Sequence, residues 1–516
     1  MEAATPIAMN PPRRRTARRV AATPPGSSGR DALVDVEFLP TSQLYVGSPM
    51  PHVHRVGSST RWLLLVFLLW IGIWVGEWLP RLSVGRVLTT ALFIIVCILF
   101  RFSLSPLPVV IVVLFAVGLT SGSDAWHQPL GIREGPCEGR ATIRVDPSFR
   151  SYGTATVLEL QNKRYKVLAY GASGRALAQR LVGESVRVEG ECSRNDGEFS
   201  RFDRINHVVG RLAVTSVSET YSEGSLFVRT ANRMRRSLVR GVEHMSSEHR
   251  ALFTGLVIGD DRDQSSAMVQ RFRDSGLSHL CAVSGQNVAY LLIIASPLLR
   301  RRGNLLKWIL TMLLLVWFVA LTRGEPSVLR AAFMAGMVAS NAVLNSPANA
   351  RIMLSRAVIV LLLIDPMLAW SVGFALSVGA TAGLAWASAG IGRMMGSRGV
   401  FAATLAAQVG TAPISLLVFG FVPVVSLLAN PLAIPVAGVV MTIGIPVALL
   451  ASSIPALVPL VSWLLMVPVA WVDGVSRFAS FLSPRGWCNG GIWVFVGLLL
   501  LHRAMKNAKR HTAVAG

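Results

Sequence analysis

The sequence predicts a polytopic α-helical membrane protein, with about 12 spans and a small β-barrel domain inserted after the third span. The membrane part rests on two observations. Of the 516 residues 52% are hydrophobic and only 15% are charged, and apolar runs of spanning length recur along the chain. The prediction of the barrel depends on a third observation, which is that the polar stretch 123–222 shows short strand-like patterns. This composition excludes a simple soluble protein and, outside residues 1–61, intrinsic disorder.

The N-terminal region divides into a tail and a group of apolar runs. Residues 1–61 are rich in proline, serine and arginine and lack an apolar period, which predicts a disordered basic tail in the cytoplasm. Residues 62–122 contain apolar runs at Trp62–Leu79, about 86–100 and about 107–122. The first run has spanning length and the other two suit a hairpin, so we expect about three membrane helices here.

Residues 123–222 carry the strand signals. Val, Ile, Leu and Tyr mix with polar residues in five segments, and a short helical stretch interrupts them at 174–181. The strand-like segments are 138–145, 153–159, 164–170, 183–191 and 208–217. Four or five strands with one helix between them fit a small barrel of the OB type.

Residues 223–275 predict amphipathic helices at the membrane surface. Apolar residues recur at helical spacing from Phe227 to Met245, and four arginines form a separate stripe at spacings of 4, 3 and 4. The stripe consists of Arg229, Arg233, Arg236 and Arg240. A basic amphipathic helix typically lies on a membrane surface, and a plain solvated face or direct contact with phosphate are the alternatives.

Residues 276–503 form the predicted membrane core, and residues 504–516 a short cytoplasmic tail. We expect spans near 278–298, 304–322, 326–344, 353–368, 371–388, 400–420, 424–450, 457–479 and 490–502. The 424–450 run contains three prolines, so it is either one kinked helix or two re-entrant pieces. Asp473 and Arg477 lie four residues apart, in the order that favours pairing on one helix.

The distribution of positive charge predicts the orientation. The formal charge is +23, from 50 Lys and Arg against 27 Asp and Glu. With the arginine-rich tail inside, the basic loops at 300–307, 393–398 and 503–510 also fall inside, as the positive-inside rule requires. Both termini are therefore expected in the cytoplasm and the barrel outside the cell membrane. Cys137 and Cys192 bracket the barrel in that oxidising space, where they form a disulfide or remain two free thiols.

Polar residues are grouped where the membrane core opens. Polar groups inside an apolar span are costly to bury, and by default they mark a path or a binding site. Arg330 belongs to the group if it lies inside the membrane, whereas near the interface its side chain would snorkel to water. The predicted path residues are Asp260, Asp261, His279, Ser284, Gly285, Gln286, Asn287 and Arg330.

Ordered motifs around these positions resemble the ComEC family of competence proteins. They are Thr254-Gly-Leu-Val-Ile-Gly-Asp260, Gly276-Leu-Ser-His-Leu280, Ala282-Val-Ser-Gly-Gln-Asn-Val288 and Pro326-Ser-Val-Leu-Arg-Ala331. The resemblance covers about residues 60–503. It implies a channel in the bacterial cytoplasmic membrane that takes up single-stranded DNA during natural transformation. Its implied partners are the lipid bilayer, a separate nuclease, a DNA receptor and a cytoplasmic motor, with a homo-oligomer left open.

Two departures from the family pattern limit what the resemblance implies. Many members have Leu-His where this chain has Gln286-Asn287, so a role resting on that histidine does not carry over. Larger members append a metallo-β-lactamase-like domain, and this sequence contains no His-x-His-x-Asp-His run. We therefore expect a short form that is not an enzyme and has no catalytic residues, cofactor or metal site. For the barrel, both contact with DNA and a structural or docking role stay open.

Two other classes of protein are alternatives to the channel. A permease for a small or lipid-linked substrate would share the membrane core but has no evident use for an outside barrel. A membrane hydrolase could use Ser284 with His279, although the sequence shows no acid or oxyanion arrangement to complete the site. The bulk charge does not decide among these classes, because most of it follows from orientation.

Overall fold

The computed structural model describes residues 57–79, 106–127, 134–150, 153–194, 201–281, 283–395, 399–484 and 486–515. The predicted tail up to residue 56 and the predicted span at about 86–100 lie outside these residues. In the described part, a pair of apolar helices precedes a β-barrel, and a large helical region follows it.

Two N-terminal helices, α1 (Gly57–Gly76) and α2 (Pro106–Trp126), pack closely through small residues. A Cβ atom on Gly72 would lie 2.6 Å from the carbonyl oxygen of Phe115, and one on Gly118 would lie 2.6 Å from that of Leu69. Glycine therefore lets the two backbones approach, as it commonly does between membrane helices.

The barrel consists of five strands in the closed order β1-β2-β3-β5-β4. Its elements are β1 (Gly135–Arg150), β2 (Gly153–Leu160), β3 (Lys163–Ala169), α3 (Gly171–Ala178), β4 (Ser185–Ser193), α4 (Arg201–Ile205) and β5 (Val208–Ser222). β3 and β5 pair in parallel, and β1 pairs with β4 to close the barrel. The prediction of a small barrel of four or five strands with a helix between them is confirmed.

Alternating side chains fill the barrel, which explains the strand patterns in the sequence. Val186 and Val188 of β4 are fully buried, whereas Arg187 between them is exposed. Cys137 on β1 and Cys192 on β4 form a disulfide, with their Cα atoms 5.8 Å apart. This bond joins the two strands at the point where the barrel closes.

Three helices connect the barrel to the helical region: α5 (Leu226–Arg240), α6 (Ser247–Ile258) and α7 (Ser266–Asp274). Each follows a serine whose side chain accepts a hydrogen bond from a backbone N–H of the first turn, namely Ser225, Ser246 and Ser265. Such N-caps satisfy donors that a helix leaves unpaired at its start. Serine therefore defines where each of these helices begins.

The remaining helices form the rest of the region. They are α8 (Ser278–Cys281), α9 (Gly285–Arg300), α10 (Asn304–Leu321), α11 (Pro326–Val343), α12 (Ala350–Ile364), α13 (Val372–Met395), α14 (Val400–Phe419), α15 (Ser426–Ser453), α16 (Val458–Leu482) and α17 (Trp487–Ala515). Short 3-10 helices at Pro366–Trp370 and Pro455–Leu457 lie between them. Among the described residues, α1, α10, α13, α14, α15 and α16 are the six helices long and apolar enough to cross a membrane. The chain is thus a multi-pass membrane protein, and the figure of about 12 spans stays a prediction.

The 424–450 run forms one helix, α15, which continues through Pro431, Pro435 and Pro446. Proline removes a backbone donor in each case, and membrane helices tolerate this because neighbouring helices satisfy the freed carbonyls. Of the two alternatives for this run, the structure shows the continuous helix.

Helices α6 and α7 pack along the sides of α15 and α16. Phe253 of α6 reaches Gly444, where an added Cβ atom would lie 3.1 Å from its ring. Gly276, just after α7, meets Ser426 at the start of α15 in the same way. These contacts bring the loop between α6 and α7 beside the helical core.

Candidate functional site

The loop after α6 carries the first of the predicted path residues. Gly259 ends α6 in the left-handed conformation, with φ of 65°, and an added Cβ atom would lie 1.9 Å from Val283. Only glycine suits this position, because any other side chain meets both backbone strain and a steric clash. The turn at Gly259 directs Asp260 into the interior and leaves Asp261 exposed.

Asp260 lies in a buried group of charges between the barrel and the helices. Arg235 of α5, with 3% of its side chain exposed, forms ion pairs with Asp146 of the barrel at 3.2 Å and with Asp260 at 3.0 Å. Its other terminal nitrogen donates to the carbonyl oxygens of Ile258 and Leu321, at 3.3 and 2.9 Å. One guanidinium thus joins the barrel, α5 and the ends of α6 and α10.

Two further arginines complete this group. Arg323, in the loop between α10 and α11, donates to both carboxylate oxygens of Asp146, at 2.8 and 3.0 Å. Arg262 donates to both oxygens of Asp260, at 2.7 and 2.6 Å. We call Asp146, Arg235, Asp260, Arg262 and Arg323 the junction network. With three arginines and two aspartates, it carries one net positive charge.

The junction network keeps both of its aspartates ionised. Burial acts to raise the pKa of Asp260, but the hydrogen bond from Arg262 and the charges of Arg235 and Arg262 outweigh it and lower the pKa to about 2. Burial likewise opposes ionisation of Asp146, and the charges of Arg323 and Arg235 still lower its pKa. Two paired carboxylates therefore remain charged across the physiological pH range.

Several predicted path residues form the start of α9. Ser284 is the N-cap of this helix, and its hydroxyl lies 3.2 Å from Oδ1 of Asn287. Asn287 is buried and donates to the carbonyl oxygen of Leu256 at 3.0 Å. Gln286 lies 3.5 Å from the hydroxyl of Tyr290. Asn287 thus anchors α9 to α6.

Arg330 is buried and lies against Gly285. An added Cβ atom on Gly285 would lie 2.9 Å from Nη2 of Arg330, so glycine makes room for the guanidinium at the start of α9. Nε of Arg330 donates to the hydroxyl of Ser377 on α13 at 3.0 Å. This side chain therefore connects α11, α9 and α13 and does not extend into solvent.

The other predicted residues lie at accessible positions. His279 of α8 is exposed. Within the described chain, no hydrogen bond joins His279 to Ser284, the pair that the hydrolase alternative requires. The same part of the chain contains no cluster of three residues suited to hold a metal ion.

The predicted arginine stripe forms an exposed row along α5. Arg229, Arg233, Arg236 and Arg240 all face outward. Arg229 pairs with Glu223 at 3.1 Å, and Arg236 pairs with the buried carboxylate of Glu184 in the barrel. Arg233 and Arg240 contact no carboxylate among the described residues.

A second group of charges lies on the side of α16. Arg271 of α7 bridges Glu248 of α6 at 2.6 Å and Asp473 of α16 at 3.2 Å. Arg477 pairs with Asp473 at 2.8 Å and with Glu248 at 3.2 Å. The predicted pairing of Asp473 with Arg477 is confirmed. We call Glu248, Arg271, Asp473 and Arg477 the lateral network, which has no net charge.

Sequence reasoning missed four members of the junction network: Asp146, Arg235, Arg262 and Arg323. One signal was present for Arg235, since it falls outside the 4-3-4 arginine stripe and on the apolar face of α5, with buried Ala231 and Leu238. An arginine on a buried face requires a partner, because an unpaired buried charge is costly. Nothing in the sequence identifies Asp146, about 90 residues upstream and in another domain, as that partner.

Comparison with known proteins identifies the family of the helical region. Residues 256–506 match the family model described as "Competence protein", from within α6 to within α17, so the barrel lies outside the matched residues. ComE operon protein 3 of Bacillus subtilis (strain 168) is 24% identical over 322 residues, which are 59% of this chain and 41% of that protein. No solved structure matches the chain. Residues 256–506 therefore form a competence-protein domain, and this confirms the predicted resemblance to the ComEC family.

Proposed function

We propose that this protein is the membrane channel component through which single-stranded DNA enters the cell during natural transformation. The observation that carries the proposal is the coincidence of the family match with the intramembrane polar residues. The matched segment begins in α6 and includes the turn at Gly259, the start of α9 and Arg330. The matched family model is described as "Competence protein", which supports the same role.

The geometry around Arg330 supports a path for an anionic polymer. A buried guanidinium inside a membrane protein indicates a functional position by default. The reason is that burying a charged side chain in a membrane costs free energy. Here it lies at the N-terminal end of α9, where the helix dipole adds positive potential. Phosphate groups are stabilised by this combination of guanidinium and helix N-terminus.

The topology belongs to the proposal as well. We place both termini in the cytoplasm and the barrel outside, with α5 at the membrane surface and about 12 spans in total. The order β1-β2-β3-β5-β4, with α3 between β3 and β4, supports an OB-like barrel. The disulfide between Cys137 and Cys192 supports its location in an oxidising space.

The barrel offers a place to engage the strand. Phe149 and Tyr170 are 80% and 56% exposed, and they lie at the same end of the β1-β2-β3 section, where Thr154 pairs with both Phe149 and Ala169. Exposed aromatics beside basic side chains bind single strands by stacking. A separate nuclease, a DNA receptor and a cytoplasmic motor would supply the steps before and after passage, and the channel could act as a homo-oligomer.

Deleting the gene and measuring uptake of labelled DNA tests the proposal. We expect DNA to bind at the cell surface but not to become resistant to added nuclease, because it does not cross the membrane. Normal uptake in the deletion strain would refute the channel and favour a permease for another substrate.

Complementation with single variants locates the path. We expect Arg330→Met to reduce uptake at least tenfold and Arg330→Lys to retain part of it, with normal amounts of protein in the membrane. The matched control is Arg356→Met, because this arginine is exposed and lies over the ring of Trp62 on the outside of the bundle. Equal DNA uptake by the Arg330→Met and Arg356→Met strains would show that Arg330 does not line the path.

A further inference from the structure

Helix α5 has a charge pattern that neither the barrel nor the junction network explains. Its 15 residues include five arginines and no acidic residue. Only Arg235 faces inward, while Arg229, Arg233, Arg236 and Arg240 form the exposed row. The spacing of the row places it along about 16 Å of one side of the helix.

The contacts of α5 place its first turns beside the end of α10 and its C-terminal end against α15. Near its beginning, Thr230 accepts a hydrogen bond at 3.1 Å from the indole of Trp317, one turn before the end of α10. Just after its end, Gly241 lies so close to Ala448 of α15 that an added Cβ atom would be 2.0 Å from its carbonyl oxygen. The contact with Trp317 lies roughly 6 Å from the C-terminal end of α10, which the proposed topology places on the side of the barrel. This is the depth of a membrane interface.

The two sides of α5 contact different parts of the protein, as expected of a helix that lies in a membrane interface. The barrel lies on one side, through the bond from Asn232 to the carbonyl oxygen of Val182 and the pair of Arg236 with Glu184. The spanning helices lie on the other, at Thr230 and Gly241. At about 100° per residue, Arg233 and Arg240 point between these two sides, away from the protein. They therefore face outward at the level where lipid head groups lie.

Apolar residues beside the arginine row add to this placement. Leu226 is 72% exposed and Phe227 is 46% exposed at the first turn of α5. Exposed leucine and phenylalanine next to arginine are typical of helices that lie in a membrane interface, with the apolar groups entering the acyl boundary. A surface for nucleic acid alone would not require exposed aliphatic side chains on the side of the spanning helices.

We propose that α5 binds the phosphate groups of anionic phospholipids, in the leaflet on the side of the barrel, chiefly through Arg233 and Arg240. These two arginines contact no carboxylate within the described chain, whereas Glu223 and Glu184 partly neutralise Arg229 and Arg236. The site holds α5 at the interface and so fixes the height of the barrel above the membrane. This proposal does not depend on DNA uptake, since it follows from the spanning helices and the charge of α5.

The test is a titration of the purified full-length protein in neutral detergent with mixed micelles. Phosphatidylglycerol and phosphatidylcholine are compared, and the thermal unfolding midpoint is recorded as a function of lipid concentration. The lipid concentration that gives half of the maximal stabilisation measures affinity. The test variant is Arg233→Gln with Arg240→Gln. The control is Arg140→Gln with Arg187→Gln, two exposed arginines that pair across β1 and β4 and lose the same charge.

We expect phosphatidylglycerol, and not phosphatidylcholine, to stabilise the wild-type protein. Each arginine near an anionic surface contributes roughly a fivefold change in affinity, so the double variant should require about 25 times more phosphatidylglycerol. The control should shift less than twofold, and Arg233→Lys with Arg240→Lys should restore most of the affinity.

Three results would overturn the proposal. These are equal shifts in the test and control variants, equal stabilisation by the two lipids, and an unchanged lipid titration accompanied by weaker binding of a single-stranded oligonucleotide. The last result would assign the row to nucleic acid instead.

Discussion

The junction network and the lateral network have the same design but different surroundings. In each, one arginine bridges two carboxylates from different segments: Arg235 between Asp146 and Asp260, and Arg271 between Glu248 and Asp473. The bridging side chain is 3% exposed in the junction network and 23% exposed in the lateral network. Burial, and not the number of ion pairs, is therefore the main difference between them.

This difference bears on what each network does. Exposed ion pairs contribute about 0–1 kcal/mol, whereas breaking a buried pair costs about 3–5 kcal/mol because it leaves a charge without compensation. The junction network joins the barrel to three separate parts of the helical region, while the lateral network joins α6 and α7 to α16. We infer that the barrel is held rigidly on the core and that α7 is attached more weakly.

The largest effect is expected from Arg235→Met. This change keeps the apolar volume but removes the charge between Asp146 and Asp260 and the donors to the carbonyls of Ile258 and Leu321. We expect the free energy of unfolding in lipid-free detergent to fall by about 3–5 kcal/mol. A denaturant titration followed by tryptophan fluorescence measures the change.

The control for this variant is Arg233→Met, on the same helix. Arg233 is exposed and contacts no carboxylate among the described residues, so its removal should change the stability by less than about 0.5 kcal/mol. If the two variants lose the same stability, the buried ion pairs of the junction network do not stabilise the fold.

The contrast between the networks also shows what the sequence can predict. Asp473 and Arg477 lie four residues apart, so helix geometry alone brings their side chains together, and the predicted pair is present. The strands of the barrel were predictable for the same reason, since alternation along β4 is local. Local spacing therefore predicted helices, strands and pairs within one element.

Contacts between distant segments were not predictable in this way. Asp146 meets Arg323 across 177 residues, and its partner depends on how the barrel docks on the helices. Asp260 was predicted as a path residue because it is polar and near a span, and this stays a prediction. The structure adds a buried ion pair that no spacing in the sequence indicates. Ser284 and Asn287 likewise serve the start of α9, which spacing could not distinguish from lining a path.

The next effect concerns pH and tests the junction network without changing Arg235. The folded-state pKa of Asp260 is about 2, below the ordinary aspartate value of 3.8, so its ionised form stabilises the fold. This contribution, roughly 2–3 kcal/mol, is fully present above the unfolded-state pKa and is lost as pH falls toward 2. We expect the stability difference between wild type and Asp260→Asn to be constant from pH 7 to 5 and to shrink from pH 4 to 3. A constant difference down to pH 3 would mean that Asp260 is not held ionised by its arginines.

A smaller effect is expected from Arg271→Met in the lateral network. Asp473 has only 4% of its side chain exposed, but it keeps Arg477 as a partner at 2.8 Å. We therefore expect a loss of about 1–2 kcal/mol, between the values for buried and exposed pairs. Hydrogen exchange of α7 should rise in this variant while that of the barrel stays unchanged, because the lateral network does not reach the barrel. Faster exchange in both regions would show that the two networks are coupled.

The smallest effect is expected from Arg477→Met. Its side chain is 54% exposed, and its partner Asp473 retains Arg271, so no buried charge is left unpaired. The pair lies four residues apart on one helix, where such pairs contribute about 0.3–0.5 kcal/mol. We expect a loss below 1 kcal/mol that disappears in high salt, because solvent ions screen exposed charges. The same salt should leave the effect of Arg235→Met nearly unchanged, since buried charges are screened much less. Equal salt dependence in the two variants would contradict the assignment of one network to the interior and the other to the surface.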